Sequence, residues 1–94
     1  MKKIFCDLHM FDATQQIFIM DTETGSMEHI TTTTLEELPE IISAVCFNKD
    51  LDEVLLTGNS IYCSAVAEDV VTYSKMNYNS KNIKVEVLKK WSIY

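Results

Sequence analysis

Arginine is absent from this chain: all eight basic residues are lysine. Without guanidinium groups it has no bidentate grip on phosphate or guanine. Fourteen acidic residues bring the net charge to −6, a field that repels a nucleic acid backbone. Lys81, Lys84, Lys89 and Lys90 gather near the C-terminus but are too sparse for a binding stripe, so no nucleic acid partner is expected. Long apolar runs are missing too, and none approaches the ~20 residues needed to cross a bilayer. The opening "MKKIFC" starts like a signal peptide, but Asp7 and His9 interrupt it before an apolar segment can form. No membrane partner and a cytoplasmic location are expected. Cysteine is scarce and odd in number: Cys6, Cys46 and Cys63 show no C-x-x-C spacing. That argues against zinc or a disulfide framework and for reduced, buried thiols. Glycine occurs twice and proline once, and no repeat, linker or low-complexity stretch is present.

What is there is ordinary for a small globular protein. The 94 residues are 47% hydrophobic and 23% charged, which fits one domain, residues 1–94. Lysine without arginine, beside many Ile and Asn, suggests an AT-rich genome such as that of a low-GC bacterium or its phage.

Alternation begins at once. Ile4, Cys6, Leu8 and Met10 fall on one side of a strand from Lys2 to Met10, with Phe5, Asp7, His9 and Phe11 on the other. "DATQ" supplies a turn, and "QQIFIMD" reads as a second strand, apolar on both faces. "TETGS" turns again at Gly25 into "MEHITTTT", a β-branched, polar edge strand. Thr34 and Glu37 form a capping box ahead of Leu35, Leu38, Ile41, Ile42, Val45 and Cys46 at helical spacing. Pro39 sits deep in that first turn and can push the start of the regular helix to itself. "EVLLTGN" is a short buried strand, and Tyr62, Val66, Val70 and Tyr73 mark a second helix from Ser60 to about Asn77. "IKVEVLKKWSIY" closes the chain as a half-exposed strand.

The order β-β-β-α-β-α-β implies an antiparallel meander followed by two right-handed crossovers. The expected fold is α/β, a five-stranded mixed sheet of order 3-2-1-4-5 with the helices mainly on one face. The other face is left without cover, although the second strand is apolar on both sides, Ile17 and Ile19 against Phe18 and Met20. A homodimer or a protein partner is expected there, through Phe18, Met20, Trp91 and Tyr94; the C-terminal "WSIY" could instead fold back over part of it.

This element order, with Asp7 midway along "IFCDLHM" and a turn in "VLLTGN", resembles the ribonuclease H-like fold, shared in outline with actin-like ATPases. The nuclease resemblance implies a metal held by Asp7 and a carboxylate at the end of strand four. That end reads Thr57-Gly58-Asn59 and has none; Glu53 lies at the opposite end, and Glu68 and Asp69 lie on the next helix. The ATPase resemblance implies "D-x-G-T", where this chain has Asp7-Leu8-His9-Met10, although "LTGN" is similar to that family's "LTGG" turn. Asp7 with His9 could serve as a base or metal pair, with His29 a third member. Thr57, Gly58 and Asn59 could hold a phosphate at a helix N-terminus. The reading preferred from the sequence is a non-catalytic binding module with no cofactor, in which Asp7 is a hydrogen-bonded structural residue. The alternative is a metal-dependent phosphoesterase or nuclease, or a nucleotide binder. A third possibility is an inhibitor whose acidic surface occupies a basic site.

Overall fold

The computed structural model describes residues 1–8, 14–78 and 82–89. Its elements in order are β1 (Lys2–Leu8), β2 (Thr14–Asp21), β3 (Met27–Thr34), α1 (Leu38–Lys49), β4 (Glu53–Gly58), α2 (Ser60–Asn77) and β5 (Lys84–Lys89). The sheet runs β3-β2-β1-β4-β5, the order the crossovers require. β1 pairs antiparallel with β2, and β2 with β3, while β4 lies parallel to both β1 and β5. Met10, expected at the end of the first strand, lies outside the described residues, as do His9, Trp91 and Tyr94.

The helices start where local chemistry allows. Thr34 Oγ1 accepts from the Glu37 amide at 3.2 Å, one half of the expected capping box, and donates to Glu37 Oε1 at 3.2 Å, so the Glu37 carboxylate meets the Thr34 hydroxyl. These two bonds close a turn ahead of the helix instead of capping it, and α1 begins at Leu38 with Pro39 in its first turn. A helix begun at Leu35 would drive the Pro39 ring into the carbonyl four residues back. α2 is capped by Asn59, whose Oδ1 accepts from the amides of Ile61 at 3.0 Å and Tyr62 at 3.1 Å.

The core lies on one side of the sheet. Ile4, Cys6 and Leu8 of β1, Ile17 and Ile19 of β2, and Val54 and Leu56 of β4 form one buried cluster with residues of both helices. Where the helices cross, Ser43 Oγ donates to the Pro39 carbonyl at 2.9 Å and accepts from Ser74 Oγ at 3.0 Å, both serines being buried. Such small side chains let the backbones approach closely. β2 is apolar on both faces but buried on one: Ile17 and Ile19 are buried, while Phe18 and Met20 are half-buried, on the side that no described element covers. Among the described residues no helix is long and apolar enough to cross a membrane.

Candidate functional site

Strand register lays out as three levels the face that no described element covers. On the middle one, His29 of β3 stands opposite Phe18, Phe18 opposite Phe5, Phe5 opposite Leu55, and Leu55 opposite Glu86. An aromatic and aliphatic row thus crosses four strands, and His29 meets Phe18 edge-on with ring centroids 5.4 Å apart. One level lies to the N-terminal side of β1 and reads Met27, Met20, Lys3, Glu53 and Lys84, with Lys3 Nζ 3.4 Å from Glu53 Oε1. Toward the C-terminal end of β1, Asp7 stands opposite Thr57 and Thr57 opposite Leu88, while Gln16 of β2 pairs with Thr32 of β3. None of Phe5, Phe18, Met20, Leu55 or Leu88 belongs to the buried cluster or to the side chains packed against it.

Asp7 is exposed on this face. The pleat is the reason: Cys6 and Leu8 take the helix-covered side, so the residue between them faces away from the core. Its neighbour across the parallel pair is Thr57. His29 is two strands away from Asp7 and one level removed, with Nε2 3.2 Å from Thr32 Oγ1. Glu53 bridges Lys3 instead, and Glu68 and Asp69 are exposed on α2, in the layer across the sheet. Among the described residues no group of three His, Cys, Asp or Glu side chains is placed to hold a metal ion.

The Thr57–Asn59 turn has glycine where it is required, with Gly58 at φ 114°. Asn59 turns its own side chain onto the amides that a phosphate would otherwise meet. The thiols are equally withdrawn. Cys6, Cys46 and Cys63 are all buried thiols outside any disulfide. Burial, with Cys46 and Cys63 adding, pushes the Cys6 thiol up to about 12. Burial first and the nearby Asp7 charge second raise Cys63 as well. Neither thiol is a ready nucleophile. On the helical side, a groove of about 280 Å³ between α1 and α2 is lined by Glu36, Glu40, Asp69, Tyr73 and Met76 among others. Burial first and Glu40 second raise the Tyr73 hydroxyl above its ordinary value.

No protein-family model and no curated protein matches this chain. Among solved structures the chain is similar to S. cerevisiae Dom34, described as a translation termination-like factor involved in RNA quality control pathways and interacting with Hbs1. The TM-score is 0.51 at 8% identity, over 95% of this chain and 29% of that one. At that identity the likeness concerns the fold, which is α/β.

Phe18 and Met20, expected as interface residues, lie on the face away from the core cluster. Phe5, Leu55, Leu88 and Lys3 share it and were not singled out as contact residues in the sequence. Phe5 carried a usable signal: it alternates with Asp7, which places both on one side of β1.

Proposed function

We propose that the protein is a small acidic, non-catalytic binding module of the cytosol, ribonuclease H-like in outline, that forms a homodimer through the open face of its sheet. The observation that carries this reading is the row Phe18–Phe5–Leu55, which lies outside the core cluster with no described element over it. Contiguous apolar patches beyond a few hundred Å² mark interaction sites on soluble proteins. The strand order, with an aspartate on the central strand, supports the ribonuclease H-like outline. Sedimentation equilibrium across the micromolar range tests the dimer. The wild type should fit a monomer–dimer equilibrium and Phe18→Glu should stay monomeric; a wild type monomeric throughout overturns the reading.

One observation favours a second reading, a metal-dependent phosphoesterase or nucleotide-binding site. Asp7 and Thr57 stand side by side at the C-terminal ends of two parallel strands, where open α/β sheets bind ligands. Thermal melts with Mg²⁺, Mn²⁺ and Mg-ATP test it. A ligand at ~100 times its dissociation constant adds about 2.7 kcal/mol. A rise in Tm lost in Asp7→Asn would establish the site, and unchanged melts would reject it at the concentrations used.

A further inference from the structure

The helical side of the sheet carries a second surface, independent of the dimer reading. Ser43 meets Ser74 and Phe47 stacks on Tyr78, so α1 and α2 run side by side in the same direction. The serines are buried and small, and they bring the helices together in the core. Outside them larger side chains stand apart and wall a groove of about 280 Å³. Buried Pro39 and half-buried Tyr73 form its floor, while exposed Glu36, Glu40, Asp69 and Met76 form its rim. On α2 the spacing of Asp69, Tyr73 and Met76 is that of one helical stripe.

Two features of the groove point to a cation. Its carboxylates have no counter-charge from their own chain: no lysine lines the groove, and none of the ion pairs among the described residues uses Glu36, Glu40 or Asp69. The positive end of α1 accounts for acids at Glu36 and Glu40. Asp69 lies in the middle of α2, where no helix end favours it. The floor is the other feature. A proline ring and a tyrosine ring offer a flat apolar bed for a guanidinium, with carboxylates beside it to take the N–H groups.

Size decides between ligand classes. Pockets for whole small molecules begin at ~300 Å³ and enclose most of the ligand. This groove is smaller and open to solvent, so it takes one long side chain and leaves the rest of a segment on the surface. A second copy does not supply that side chain, because the chain carries a net −6 and no arginine. We propose that the α1–α2 groove docks a basic segment of another protein. An arginine of that segment lies over Tyr73 and Pro39 with its guanidinium among Glu36, Glu40 and Asp69, and an apolar neighbour rests on Met76.

The experiment follows the backbone amides of the full chain by NMR during titration with a blocked hexapeptide of two alanine–leucine–arginine repeats. A second peptide has lysine in place of arginine. Saturable shifts should centre on residues 36–40 and 69–76, and the lysine peptide should bind several-fold more weakly, since an ammonium neither stacks nor forks. The double variant Glu40→Gln with Asp69→Asn should weaken binding about tenfold. Glu28→Gln with Glu68→Gln removes the same charge from exposed positions outside the groove and should leave binding within twofold. The amide spectrum of each variant reports its folding directly. Shifts scattered over the acidic surface, equal weakening by the two double variants, or equal binding of the two peptides would mean plain charge attraction and overturn the proposal. The absence of any saturable shift overturns it as well.

Discussion

Cys6 and Asp7 are neighbours in the chain, and the pleat gives them opposite surroundings, one thiol sealed in the core and one carboxylate on the surface. The thiol predicts a pH dependence. Its folded pKa is raised from the ordinary 9.0 to about 12, so the folded state holds the proton more tightly than the unfolded chain does. The associated stability is fully present below pH 9 and is lost as pH rises toward 12. Urea unfolding should show ΔG falling by about 1.4 kcal/mol per pH unit across that window, and the slope should shrink in Cys6→Ala. At Gly58 the φ of 114° is one that residues with a Cβ rarely adopt. Gly58→Ala should cost about 2 kcal/mol and Asn59→Ala, which removes the α2 cap, about 1 kcal/mol, both read from urea midpoints.

Between elements, the crossing of α1 and α2 depends on two hydroxyls as well as on packing. Ser43 receives the Ser74 hydroxyl and passes its own to the carbonyls of Pro39 at 2.9 Å and Val70 at 3.3 Å. Ser43→Ala removes the Ser74 acceptor inside the core and should cost about 1–2 kcal/mol. A double-mutant cycle with Ser74→Ala should return a coupling of at least ~0.5 kcal/mol. Ser43→Leu should destabilise by about 2–3 kcal/mol through overpacking. β3 shows a different element-level feature. Its register with β2 shifts between Ile17 and Phe18, leaving Ile30 as an extra residue between Thr31 and His29. That bulge re-aims the strand so that His29 reaches the open face beside Phe18.

At the scale of the molecule, a single core on one side of the sheet separates folding from association. Leu56 is fully buried and Leu55, the next residue, is not. Leu56→Ala should lower stability by about 3 kcal/mol whatever the protein concentration. Leu55→Ser should alter the monomer little but remove the rise of Tm with concentration. On the proposed dimer, that rise would amount to about 1.4 kcal/mol for each tenfold increase in protein. Differential scanning calorimetry over a concentration series separates the two effects.

The chain by itself determined the element order, the strand order and the one-sided placement of the helices. Hydrophobic periodicity is local, and right-handed crossovers leave few ways to join the elements. It also offered Phe18 and Met20 as interface residues without fixing which face of the sheet is bare. The start of α1 was half legible, because Thr34 and Glu37 do bond each other, while Pro39 decides where repeating backbone bonds can begin. Tertiary structure alone decided which side of β1 the helices cover, and so put Asp7 in water and Phe5 beside Phe18. Alternation divides a strand into two faces but does not say which one receives the core. Register was equally out of reach of the sequence: Lys3 meets Glu53, and Asp7 meets Thr57, only because β1 and β4, far apart in the chain, align in one particular way.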